Sequence, residues 1–133
     1  MKVLLVSASP RRKGNTYTAL CEVAKTLEQD GIEAEVVEIG TKPVRGCIAC
    51  NWCKQHADEH RCAFEDDMVN EISAKAEKAD AFVFGAPVYY GQPNGSALSL
   101  IQRLLYSNGA AFVYKPVANV CVCRRGGADT AYQ

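Results

Sequence analysis

The 133-residue sequence has no excess of charge of either sign, since fifteen Lys and Arg balance fifteen Asp and Glu. Nucleic-acid-binding surfaces draw on a basic excess, so a nucleic-acid partner is not expected. No apolar run approaches the length needed to span a bilayer, so no membrane partner is expected either. The N-terminus offers one Lys and then a short strand pattern, too little for a secretory leader. Without secretion, the sequon Asn94-Gly95-Ser96 has no route to glycosylation. Repeats, linkers and low-complexity tracts are missing too, which leaves one domain over residues 1–133 with length enough for a core. Two common phosphate loops are absent: there is no G-x-G-x-x-G and no G-x-x-x-x-G-K-[ST]. Cysteine, by contrast, is plentiful, with seven residues. With no leader expected, they fit the reducing cytoplasm, and metal, cluster or thiol chemistry more than disulfides.

What the N-terminus does have is a different anion site. The apolar run Val3-Leu4-Leu5-Val6 stops at Ser7-Ala8-Ser9-Pro10-Arg11-Arg12-Lys13-Gly14-Asn15-Thr16, and helical periodicity follows. This order predicts a strand over residues 2–6, a loop of phosphate size and a helix over residues 16–30. Free backbone N–H groups at the helix start would then lie beside hydroxyls of Ser7, Ser9 and Thr16 and the cations Arg11, Arg12 and Lys13. Gly14 permits tight backbone geometry, and Asn15 or Thr16 can cap the helix. Leu20, Val23, Ala24 and Leu27 give its apolar stripe, and Gly31 its C-terminal stop.

The same alternation recurs along the chain. A second strand is expected over residues 34–39 and a loop over 40–64. A second helix opens on Glu65, Asp66 and Asp67, which suit the positive helix start, and buries Met68, Val69, Ile72 and Ala76. A third strand covers 81–84, continuous and apolar. A third helix covers 95–106 with Ala97, Leu98, Ile101, Leu104 and Leu105 on one side, and a fourth strand covers 117–122. Strands alternating with helices predict an α/β, doubly wound sheet of parallel strands, with ligands outside the carboxyl ends of the strands.

Three loops leave those ends and would converge: residues 7–16, 86–94 and 123–127. The second contains Pro87, Val88, Tyr89, Tyr90 and Gly91, in which proline stiffens, glycine lets backbone approach a flat ligand, and tyrosine offers ring faces. The third, Arg124-Arg125-Gly126-Gly127, again joins charge to backbone freedom.

Taken together, Ser7-Ala8-Ser9-Pro10-Arg11 with Gly14-Asn15-Thr16, Gly46-Cys47-Ile48-Ala49-Cys50, Asp66-Asp67-Met68, Pro87-Val88-Tyr89-Tyr90-Gly91 and Arg124-Arg125-Gly126-Gly127 resemble the flavodoxin-like NAD(P)H-dependent FMN reductases, in particular their iron–sulfur flavoprotein branch. The resemblance covers nearly the whole chain. It implies a three-layer flavodoxin-like sheet with strand order 2-1-3-4, the usual fifth strand being absent from this chain. It further implies that Ser7, Ser9, Arg11, Gly14, Asn15 and Thr16 hold the FMN phosphate. Pro87, Val88, Tyr89, Tyr90 and Gly91 would line the isoalloxazine ring, and Arg124, Arg125, Gly126 and Gly127 would close the pocket. NAD(P)H would be the co-substrate and a small molecule or protein the electron acceptor, with no catalytic side chain because the flavin carries the chemistry.

Cys47, Cys50, Cys53 and Cys62 form C-x2-C-x2-C-x8-C. Two-residue gaps suit a [4Fe–4S] cluster, and the iron–sulfur flavoproteins hold one near the flavin with a compact run of this kind, although the last gap is longer here. Structural or oxidised thiols are a second reading. Zinc, with His56 and His60 as further ligands, is a third. Trp52 could cover a cluster or flavin or join a subunit interface. Cys121 and Cys123 alternate on the fourth strand and read as core thiols, whereas Cys21 has no assigned role. Without a fifth strand the fourth would be an exposed apolar edge, for which three explanations stand: a C-terminally incomplete fragment, a partner chain that covers the edge, or loss of the last unit together with flavin binding. The first two are favoured because all three pocket loops are present, and a dimer or tetramer is expected. Two other function classes stand beside the reductase: a non-enzymatic electron carrier that binds FMN, and a metal-binding protein without flavin.

Overall fold

Leu4, Leu5 and Val6 lie at the centre of the protein, in a strand buried on both faces. The computed structural model describes residues 1–131. In chain order the elements are β1 (Lys2–Ser7), α1 (Asn15–Gln29), β2 (Glu33–Glu38), the short α2 (Trp52–Gln55), α3 (Val69–Glu77), β3 (Ala81–Tyr89), β4 (Gln92–Pro93), α4 (Gly95–Asn108), β5 (Val117–Val122) and α5 (Ala128–Ala131). Single 3-10 turns follow α2 (Ala57–Glu59) and α4 (Gly109–Phe112).

The four long strands are parallel in the order β2-β1-β3-β5, with Leu5 paired to Val36 and Val83, and Val83 to Ala118. This is the order 2-1-3-4 expected for four long strands. The addition is β4, which folds back antiparallel on the end of β3, Tyr89 opposite Gln92. Among the described residues β5 pairs only with β3, so it forms the edge of the sheet.

Alternation along β1 and β3 divides the core in two. Val3, Leu5 and Val83 meet Leu20 and Ala24 of α1. Leu4, Val6 and Phe82 face α3 and α4, where they meet Val69, Ile72, Ala76, Leu100 and Leu104. The result is the expected α/β/α layering. Gly31, with φ +74°, follows the end of α1 and returns its N–H to the Glu28 carbonyl at 3.0 Å.

Three details depart from expectation. First, α3 begins at Val69, and Glu65, Asp66 and Asp67 stay outside the helix. Each acidic group is drawn to an arginine instead: Glu65 to Arg61, Asp66 to Arg45 and Asp67 to Arg103. Second, the buried stripe of α4 is Ala97, Leu100, Arg103, Leu104 and Asn108. Leu98 and Leu105 are 39% and 50% exposed, because Arg103 and Asn108 occupy the inner face through polar partners on α3 and its approach. Third, β3 runs on to Tyr89, so Pro87, Val88 and Tyr89 belong to a strand and not to a loop. Pro87 lies in register with Val122 of β5, and its carbonyl accepts the Asn94 N–H at 3.2 Å.

Glu35 on β2 is gripped by Lys2 at 2.8 Å and Lys75 at 2.5 Å, and these cations hold its carboxyl below the usual range. A folded-state value below the unfolded one stabilises at neutral pH, and the gain disappears as pH falls through the folded value. Glu35→Gln is therefore expected to lower the unfolding free energy by roughly 1 kcal/mol at pH 7 and by almost nothing near pH ~2. Urea unfolding at both pH values measures the difference. An equal loss at both would show that packing, not charge, is responsible.

Candidate functional site

The loop after β1 is built around its own side chains. The Ser9 hydroxyl accepts the Arg11 N–H at 3.2 Å, and the Gly14 N–H donates to the Arg11 carbonyl at 3.2 Å. The Ala8 N–H donates to Gly85 and the Ala8 carbonyl accepts from the Asn94 side chain, both at 2.8 Å, so the loop is anchored to β3 and to the start of α4. Gly14, and not Asn15 or Thr16, is the N-cap of α1, and no side chain caps the helix. Nor does the first turn contain an acidic residue. The N–H groups at this helix start thus lack the side-chain acceptor that usually satisfies them. At the end of β1 the Ser7 hydroxyl is fully buried without a partner. Arg11, Arg12 and Lys13 are exposed, and among the described residues none of the three is held by an ion pair.

Opposite this loop stands the hairpin at the end of β3. Tyr90 and Gly91 both have positive φ, 53° and 79°, and form a two-residue turn matched to the strand twist. An aromatic residue in that region is strained, a condition that clusters at ligand-binding sites. Tyr89 is half-exposed and Tyr90 stands fully in solvent at the tip. The third loop closes against the hairpin: a Cβ on Gly127, where φ is +91°, would lie 2.9 Å from the Gly91 Cα and 3.3 Å from Val88.

Between these segments lies a cavity of about 410 Å³. Ser9, Arg11, Gly14, Asn15 and Thr16 line one side, Pro87, Val88 and Tyr89 another, and Val122, Cys123 and Arg124 a third. The three expected loops therefore do converge. Of the expected residues, Ser7 lies buried in the strand end, Gly91 and Gly127 touch each other, and Tyr90, Arg125 and Gly126 are exposed outside the lining. Val122 and Cys123 are additions. Sequence alternation would place Cys121 and Cys123 together as core thiols, but both are half-buried and β5 ends between them at Val122. Cys123 consequently reaches this cavity, while Cys121 lines a second, apolar cavity of about 240 Å³ beside α4.

Cys47, Cys50, Cys53 and Cys62 line a separate hollow with Phe64, Arg103 and Tyr106. Cys47 and Cys50 are exposed, Cys53 and Cys62 are buried, and all are free thiols. Burial pushes the Cys53 thiol up. Among the described residues no three His, Cys, Asp or Glu side chains are gathered at the spacing that holds an ion. The donor set, four soft sulfurs around one hollow, is the kind that suits iron–sulfur clusters. The two histidines are engaged elsewhere: His56 Nδ1 lies 2.9 Å from the Trp52 carbonyl and its ring stacks on Trp52, while His60 Nδ1 bonds Glu77 at 2.7 Å. The Arg61 guanidinium lies over the Trp52 ring, 4.8 Å from its centroid.

The profile of the family described as NADPH-dependent FMN reductase matches residues 1–133. An iron–sulfur flavoprotein of Methanocaldococcus jannaschii is 38% identical over 103 residues, which are 77% of this chain and 51% of that protein. An iron–sulfur flavoprotein of Methanosarcina thermophila is 28% identical over 137 residues, 100% of this chain and 70% of that protein. The chain spans about half the length of several curated relatives that it matches. The NAD(P)H:quinone oxidoreductase from Methanothermobacter marburgensis shares the fold, with a TM-score of 0.68 at 17% identity over 97% of this chain and 67% of that one.

Proposed function

The chain belongs to the NADPH-dependent FMN reductase family, and on that premise we propose that it binds FMN and passes electrons from NAD(P)H to a small-molecule or protein acceptor. The observation that carries the proposal is the pairing, across one cavity, of an uncapped helix start with a stiff aromatic hairpin. The N–H groups at the start of α1, which no side chain caps and which open on this cavity through Gly14, Asn15 and Thr16, fit a phosphate. Ser9, Arg11, Gly14, Asn15 and Thr16 would hold that phosphate, and Pro87, Val88, Tyr89, Tyr90 and Gly91 would flank the ring. Arg124, Arg125, Gly126 and Gly127 would close the pocket, with Val122 and Cys123 behind them. Bound FMN supplies a two-electron acceptor for hydride, which no side chain of this chain provides. The protein's own part is to orient the ring against the β3 hairpin and to keep the phosphate fixed.

Four thiols around one hollow, together with the relatives' names, support a second cofactor: Cys47, Cys50, Cys53 and Cys62 as ligands of a [4Fe–4S] cluster. The free thiols fit a reducing, cytoplasmic setting, and no helix among the described residues is long and apolar enough to cross a membrane. A second copy laid against β5, which is the sheet edge among the described residues and has Val117 52% exposed, would give a dimer or tetramer.

The test is anaerobic addition of NADPH or NADH to FMN-loaded protein, followed in the visible. Bleaching at a turnover-competent rate is expected. Colour that persists would leave a flavodoxin-like electron carrier. A quantitative check of the phosphate site is Arg11→Ala, which is expected to weaken FMN binding by roughly 3- to 10-fold through loss of an exposed cation. Fluorescence titration measures it, and an unchanged Kd would remove Arg11 from the site.

A further inference from the structure

Arg103 is the largest fully buried side chain of the protein, 1% exposed on the inner face of α4. A guanidinium in that position must find partners for its donors. Three of them lie on the segment from Cys62 to Asp67 and the fourth is the Arg45 carbonyl. Nε donates to the Cys62 sulfur at 3.3 Å. Nη1 donates to Asp67 and, at 3.3 Å, to the Arg45 carbonyl. Nη2 donates to the Phe64 carbonyl at 3.3 Å. The Cys62 backbone is fixed independently, since its N–H and carbonyl both bond the Asn70 side chain of α3 at 2.9 Å. Cys62 is thus held by its backbone from one helix and by its sulfur from another.

A thiol is a poor acceptor, whereas a thiolate bound to metal accepts strongly from a charged N–H. Partners of this kind orient metal ligands and are worth 10- to 100-fold in metal affinity. Hydrogen bonds to cluster sulfurs also help set the reduction potential. An ion pair whose only task was to close the loop would need Asp67 and the carbonyls, but not a donor aimed at sulfur.

We propose that Arg103 is a positioning residue for the Cys62 sulfur, presenting it preorganised to an iron–sulfur cluster and making the attached cluster easier to reduce. The inference rests on the reading of Cys47, Cys50, Cys53 and Cys62 as cluster ligands. Its test is Arg103→Lys, which keeps the charge beside Asp67 and loses the planar fork. Protein reconstituted with iron and sulfide without oxygen is assayed for iron retained against a chelator and for cluster midpoint potential. Metal-free protein is assayed for the rate at which iodoacetamide alkylates Cys62, read by peptide mass mapping. FMN binding serves as the control for folding.

The variant is expected to bind FMN within about twofold of the parent and to hold iron roughly 10- to 100-fold more weakly. Its residual cluster should have a more negative potential, and Cys62 should be alkylated faster. Parent-like iron retention, potential and alkylation would overturn the proposal while leaving the cluster reading intact. If the parent itself retains no iron, the cluster reading fails and the proposal, which rests on it, falls with it. If Arg103→Lys does not fold, Arg103→Gln with Asp67→Asn removes both buried charges together and is measured in the same way.

Discussion

Gly127→Val is expected to weaken FMN binding more than tenfold. Two independent costs combine at this position. The backbone has φ +91°, where an L side chain is strained by about 1–3 kcal/mol. In addition, a Cβ would lie 2.9 Å from the Gly91 Cα, which is backbone and cannot swing aside as a side chain can. The loop of residues 123–127 must therefore part from the β3 hairpin, and the cavity between them opens. Because α5 is short and lies at one end of the fold, global stability should fall much less than ligand affinity. Fluorescence titration with FMN, beside a thermal melt, separates the two. A variant that binds FMN as the parent does would show that the contact between Gly127 and Gly91 does not shape the pocket.

Gly85→Val should damage both stability and binding. Gly85 sits on β3 under α1, and its added Cβ would lie 2.8 Å from Leu20 Cδ1 and 2.9 Å from Thr16 Cγ2. Leu20 is a core residue with no exposed surface, so it cannot yield without moving the helix. Overpacking of this kind costs about 1–3 kcal/mol, and valine stands at the upper end. The displacement is transmitted to the first turn of α1, where Thr16 lines the cavity. We expect a fall of about 2–3 kcal/mol in urea unfolding together with weaker FMN binding. Loss of stability with intact FMN affinity would mean that the helix start does not touch the phosphate.

The sheet was legible because its strands are short apolar runs separated by helices with a clear stripe, and this order admits few topologies. The convergence of the three loops follows from that topology. Details governed by pairwise chemistry were not legible. Glu65, Asp66 and Asp67 look like a helix start, yet arginines claim all three, Arg61 from four residues away and Arg45 and Arg103 from distant parts of the chain. Arg103 breaks the apolar pattern of α4, and only the three-dimensional approach of Asp67 and Cys62 shows why it is buried. One signal was available in the sequence: a lone Arg between Leu100 and Leu104 in a helix stripe calls for a buried acidic partner. The Tyr90-Gly91 turn could also have been read, since glycine at its second position between two strand-forming segments marks a hairpin. Cys123 was misplaced because alternation applies only while the strand lasts, and β5 ends at Val122.

The central claim is that the uncapped start of α1, with Ser9 and Arg11, is a phosphate site serving a flavin. The most direct test compares FMN with riboflavin, which has the same ring and lacks the phosphate. Two or three charge-assisted hydrogen bonds at about 1.5 kcal/mol each predict that FMN binds at least ~100-fold more tightly. Equal affinity for the two in parallel titrations would contradict the account.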